Sequence, residues 1–192
     1  MHDYCVILCK FVENKEKMGD SALSVANYFI DLAKRDGVEI KPLKLMKLVY
    51  IAHGFMLAFM NRSVINPRFD KVEAWKYGPV IPSVYHSFKQ YGNCAIDKKT
   101  VIFFFDGEPD KDPIVRTPEL KDEEAKKVCN IVWRRYSPMS DSKLVTLLHG
   151  AGTPWAMVYK EGENRAIPDE FTRLYYKGLI RILIENGKNR EK

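Results

Sequence analysis

Residues 42–63 read PLKLMKLVYIAHGFMLAFMNRS, and residues 72–85 read VEAWKYGPVIPSVY. The first piece predicts a long helix. Pro42 suits a first helical position, because its fixed φ and missing N–H cost nothing there. Leu45, Leu48, Val49, Ala52, Met56 and Phe59 recur at three- and four-residue steps and mark one apolar stripe. At 100° per residue, Leu43, Met46, Tyr50 and Leu57 form a second stripe. Only a narrow arc, with Lys44, Lys47, Gly54 and Ala58, is left for solvent or a close neighbour. A helix apolar nearly all round is a buried central helix or a membrane span. The two lysines and the short length favour the buried helix.

The second piece packs Trp75, Tyr77, Gly78, Pro79 and Pro82 into eight residues. Gly78 can take backbone angles closed to other residues, and Pro79 then fixes the next φ. Residues 77–80 therefore read as a rigid turn between large aromatics. Pro82-Ser83 opens another helix, with Val84, Tyr85 and Phe88 apolar and Gly92 as its stop.

Working outward, 192 residues give one domain room for a real core. Hydrophobic content of 46% and charged content of 29% describe an ordinary globular chain. The apolar YCVILCKFV (residues 4–12) is short, interrupted by Lys10, and lacks a basic start and a cleavage site, so it does not read as a signal peptide. No membrane partner and a cytoplasmic location are the expectations. Cys5, Cys9, Cys94 and Cys129 form no CxxC pair and no zinc spacing, and read as packed reduced thiols. The net charge is +6, and residues 34–89 carry the whole excess, with ten Lys or Arg against four acids. Such a surface attracts an acidic partner or nucleic acid; a lysine-rich solvated face is the plainer reading.

Residues 1–20 read as an N-terminal extension, 21–187 as the domain and 188–192 as a charged tail. A first helix starts at Ser21 or Ser24, either of which can cap it, and stops at Asp36-Gly37. Val72–Trp75 reads as a short strand or extended arm. The β-branched and aromatic run TVIFFF (100–105) predicts a strand, with Ile114-Val115-Arg116 as its return. A fourth helix is expected from about Pro118 to Tyr136 with Val128, Ile131, Val132 and Tyr136 inward. A fifth, capped by Ser140, directs Leu144, Leu147 and Leu148 to the core. Thr153-Pro154 starts a short helix carrying Trp155. The last helix, from Pro168-Asp169 to about Asn186, has Phe171, Leu174, Tyr175, Leu179, Ile182 and Leu183 as its apolar positions, with Gly187 as its stop. The expected fold is mainly α, a compact bundle of about six helices around a buried central helix, with a small β-hairpin near 100–116.

Chemistry is sparse. No HxxxH or HExxH pair, GxSxG elbow, P-loop or dinucleotide fingerprint is present. His86 and His149 could converge in space, but each alone reads as a hydrogen-bonded structural histidine. Cys129 sits mid-helix among apolar neighbours, a poor place for a nucleophile. No catalytic, metal or cofactor residue is assigned, and the chain does not read as an enzyme. Trp75 and Trp155 read as core, Tyr77 and the Gly78-Pro79 turn as surface.

Three ordered blocks resemble one family. PLKLMKLVYIAHG, then EAWKYGPVIPSVYHSFKQYG, then Leu144, Leu147, His149, Pro154 and Trp155 match the pattern of the Panacea domain, also called antitoxin SocA-like or phage-associated GepA-like. His53-Gly54 departs from the Gln-Gly that many members carry. The resemblance implies a phage-associated antitoxin that neutralises a cognate toxin by direct contact, or an adaptor that presents it to a protease or chaperone. The alternative is a nucleic-acid-binding regulator using the basic 34–89 region. The candidate partner-binding residues are Lys44, Lys47, Lys76, Tyr77, Gly78, Pro79 and Tyr85. Leu45, Leu48, Tyr50, Gly54, Trp75, Pro82, His149, Pro154 and Trp155 are assigned structural roles by the family pattern.

Overall fold

The computed structural model describes residues 21–65, 70–104 and 112–188. The expected extension 1–20, with Cys5 and Cys9, and the last four residues of the tail lie outside them. Seven α-helices are present among the described residues, as the mainly α reading expects. Helix α1 (Ala22–Asp36) opens with a reciprocal cap. The Ser21 Oγ accepts from the Ser24 N–H at 3.3 Å, and the Ser24 Oγ accepts from the Ser21 N–H at 2.9 Å. Gly37, at φ 64°, closes it in the left-handed region.

Helix α2 (Pro42–Met60) runs through the middle of the molecule. Leu45, Leu48, Val49, Ala52 and Met56 are completely buried. The helix is long and apolar enough to cross a membrane, but most of it is covered by its own neighbours. These are α1, α3 (Pro82–Phe88), α4 (Glu123–Tyr136), α5 (Asp141–His149) and α7 (Asp169–Lys188). The short α6 (Pro154–Val158) packs on α5 and α7. Contact between α2 and α7 is the most extensive. Tyr176 of α7 lies edge-on to Tyr50 and Phe55, and its ring fills the space left by the missing side chain of Gly54. His53, fully buried, is hydrogen-bonded through Nε2 to Asp169 at the start of α7 (3.1 Å). That bond holds the Asp169 carboxyl below its usual range.

Strands β1 (Glu73–Trp75) and β2 (Gly78–Val80) form a hairpin, while β3 (Ile102–Phe104) and β4 (Ile114–Arg116) form the second hairpin expected near 100–116. A fifth strand, β5 (Arg165–Ala166), pairs antiparallel with β1, so the first sheet has the order β2-β1-β5. This strand is two residues long and carries no sequence signal.

Several faces differ from the periodic reading. Helix α4 begins at Glu123, not near Pro118, because Asp122 caps it by accepting from the Ala125 N–H at 2.8 Å. Ile131 (46% exposed) and Leu147 (41%) look outward, and so does Phe59 in the last turn of α2. In α7 the inward face holds Thr172 and Tyr176, whereas Phe171, Leu174 and Ile182 are exposed. This helix has apolar side chains on more than one side, and its rotation is set by the fit of Tyr176 against Gly54.

The β3–β4 hairpin is fastened at its base by one buried side chain. The Asn27 amide of α1 donates to the Thr100 carbonyl (3.0 Å) and the Pro118 carbonyl (2.9 Å), and its oxygen accepts from the Thr100 N–H (2.9 Å). Three bonds from one residue grip both feet of an otherwise marginal two-stranded ribbon. In Asn27→Ala, the Thr100 amide should lose hydrogen-exchange protection and global stability should fall by about 2–4 kcal/mol. Unchanged protection would mean that the ribbon holds itself.

Candidate functional site

The site grows from the β1–β2 hairpin. Trp75 is paired with Gly78, which leaves a two-residue loop, Lys76-Tyr77. Tight hairpins need left-handed backbone somewhere in the connection. Neither loop residue has positive φ; Gly78 supplies it at φ 100°. Gly78, Pro79 and Val80 are buried, whereas Lys76 is exposed and Tyr77 is 63% exposed. The Lys76 ammonium lies 5.8 Å from the centroid of the Tyr77 ring. Trp75 packs edge-on against Tyr85 of α3 at 4.8 Å, and its indole N–H donates to Glu73 (2.8 Å).

Behind the loop, residues from three distant segments meet. Lys47 of α2 is fully buried, and its Nζ donates to the Pro79 carbonyl at 3.1 Å. His149, the last residue of α5, bonds the Tyr77 backbone and leaves its Nε2 buried without a partner among the described residues. A Cβ on Gly78 would stand 3.0 Å from Lys47 Nζ and 3.1 Å from His149 Nε2, so no larger residue fits there without displacing both. The His149 ring lies flat on Trp155 (3.8 Å between centroids, 1° apart), which in turn stacks on Tyr159 at 4.4 Å. The Trp155 indole N–H donates to the Trp75 carbonyl at 2.8 Å. Thr153 orients this group by capping α6, its Oγ1 accepting from the Ala156 N–H.

The electrostatics are unusual for a surface loop. Among the described residues, no carboxylate pairs with Lys47. Burial alone pushes its ammonium down to about 7. Burial, and then the charge of Lys47, also hold His149 below its ordinary value. A lysine near neutrality can act as a nucleophile only if a substrate can reach it, and this one is sealed under Pro79. The arrangement therefore fastens a loop. It presents no open reaction centre, and no group of three His, Cys, Asp or Glu suited to a metal occurs among the described residues.

A family model described as antitoxin SocA-like, Panacea domain, matches residues 45–156. That interval holds Lys47, the Trp75–Pro79 hairpin, His149 and Trp155. The chain belongs to the SocA-like Panacea family. Antitoxin SocA of Caulobacter vibrioides (strain NA1000 / CB15N) is 34% identical over 142 residues, covering 71% of this chain and 69% of that protein. No solved structure matches.

The Panacea motifs thus converge on one knot of side chains. Leu45, Leu48 and Tyr50 lie in the core of α2, Pro82 starts α3, and Pro154 is buried at the start of α6. Trp75 and Trp155, read as core, are half-buried and wrap the hairpin. The Lys44–Lys47 arc does not face solvent. Lys47 is sealed, and Lys44 is half-buried, donating to the Ser137 carbonyl at 3.0 Å beside Asp141. Gly54 on the same arc is the contact point for Tyr176. Of the candidate partner-binding residues, only Lys76 and Tyr77 are well exposed; Tyr85 is half-buried. The basic 34–89 stretch is also partly consumed: Arg35 pairs with Asp36, Arg62 with Asp122 and Lys71 with Glu73. His53's partner Asp169, and Tyr176, went unread in the sequence because nothing local marks a contact more than 110 residues away.

Proposed function

We propose that this Panacea-domain protein is a non-enzymatic antitoxin that neutralises a protein toxin by direct contact, with the Lys76-Tyr77 loop in the contact surface. Membership of a family named for an antitoxin supports the role. The observation that carries the surface is the contrast between an outward Tyr77 and the buried supports beneath it. An exposed aromatic on a preorganised turn loses little entropy on binding, which is how interface hot spots are built. Lys47, Gly78, Pro79, Tyr85 and His149 serve the surface from within by fixing the loop.

The test is growth rescue against the co-expressed product of the neighbouring reading frame. Tyr77→Ala and Lys76→Glu should weaken rescue, while each melting curve stays within the ~0.5 kcal/mol typical of surface changes. Full rescue by both variants would place the contact elsewhere. Following toxin lifetime in the same cells separates the two modes: simple sequestration leaves it unchanged or longer, and delivery to a protease shortens it.

A further inference from the structure

On the other flank of α5 from the loop, a cavity of about 90 Å³ opens where α2, α4, α5 and α7 meet. Ile51, Leu148 and Tyr176, all buried, form its floor. Leu147, Leu179 and Arg135 stand at its rim, and Leu147 is 41% exposed there. Ile182, 54% exposed, continues the apolar edge one helical turn beyond Leu179.

Size and charge select the occupant. An apolar cavity of ~150 Å³ holds a benzene ring. One of about 90 Å³ suits a single branched aliphatic side chain of leucine size. Among the described residues one charged side chain lines the mouth, and it is basic: Arg135. It is exposed, its guanidinium lies 5.8 Å from the centroid of the Tyr136 ring, and it forms no ion pair among the described residues. An apolar socket with a basic rim is complementary to an aliphatic anchor beside a carboxylate, because Arg pairs strongly and directionally with carboxylates.

We infer that this socket is a second anchor point for the toxin, taking a leucine-sized side chain flanked by Asp or Glu. The inference rests on the antitoxin reading and adds to it the chemistry of the partner segment. A second copy of the chain is the other possible occupant, but Arg135 at the mouth would then meet its own like charge across a two-fold axis.

The experiment titrates purified protein with the product of the neighbouring reading frame and scores growth rescue in parallel. Leu147→Asp and Arg135→Glu should each weaken binding at least tenfold. Lys89→Glu, on an exposed turn elsewhere, should bind like the wild type, and all three should melt like it. If Leu147→Asp disturbs the fold, Arg135→Glu, an exposed change, decides alone. Wild-type binding by both variants overturns the socket and leaves the antitoxin reading standing. A wild type that neither binds nor rescues overturns both. Self-association in sedimentation that Leu147→Asp abolishes assigns the socket to a second copy and overturns the inference.

Discussion

Raising the pH from 7 to 9.5 should stabilise this protein against denaturant by roughly 3 kcal/mol relative to Lys47→Met, in which the contribution of Lys47 is removed. In the unfolded chain Lys47 holds its proton up to about its ordinary value of 10.5; in the fold it releases it at about 7. Between these values the unfolded state binds more protons than the native state, so stability rises with pH. Below pH 7 both states are protonated and the full burial cost of the ammonium is present. The window ends near pH 9.5, because the tyrosines of the unfolded chain begin to ionise at about 10. Tyr50 and Tyr176 of the native state are held above that by burial, which reverses the slope. Methionine keeps the length and apolar stem of Lys47 while removing the charge. It leaves the Pro79 carbonyl unbonded, at about 1–3 kcal/mol. The variant should therefore lack this rise from pH 7 to 9.5 and be at least as stable as the wild type at pH 7. Urea unfolding at three pH values checks this. A wild type that gains no stability over the variant as the pH rises would mean that the ammonium is solvated or paired, contrary to the sealed site. Its effect on rescue should follow the loop: stability held, neutralisation weakened as the Pro79 anchor is lost.

Gly54→Ala should cost at least about 3 kcal/mol, the reverse of what the substitution does in most helices. Ala in place of a helical Gly ordinarily stabilises by up to ~1 kcal/mol, since glycine has more backbone freedom to lose. Here a Cβ would meet the Tyr176 ring, with Cζ only 2.7 Å away and the ring's near edge closer still. Tyr176 is 2% exposed and boxed in by Tyr50, Phe55 and Tyr175, so it cannot swing aside. Overpacking of this kind forces the helices apart. The double variant Gly54→Ala/Tyr176→Leu should lose less than the two single losses added together, because the second change makes room for the first. Thermal melts of the four proteins complete the cycle. A neutral or stabilising Gly54→Ala would mean that α7 does not lie on α2 in this register.

Much of the architecture was legible in local signals. Pro42, Ser21, Gly37 and Ser140 punctuate helices through geometry that each residue carries with it. The apolar steps of α2 mark a buried helix, and the Thr100–Phe105 run with its return marks a hairpin, because both depend on spacing alone. Gly78-Pro79 announces a turn nearby, but the loop itself is Lys76-Tyr77, and Gly78-Pro79, read as a surface turn, are buried in β2 because their backbone pairs with Ala74 and Trp75. The three signature blocks identify the family.

What those residues do to one another was decided only by the tertiary structure. Periodicity gives the direction of a side chain and is silent about what waits there. Lys47 lies on the polar arc of its helix, yet that arc faces a proline carbonyl and not water. His149 and Trp155 stand more than 70 residues from the hairpin they brace, and β5 is marked by its pairing with the distant β1 and not by a local pattern. Helix α7, apolar on several sides, could have turned Leu174 or Ile182 inward as easily as Tyr176. The notch above Gly54 chose Tyr176, because close packing is a property of two surfaces together and neither sequence segment contains it alone.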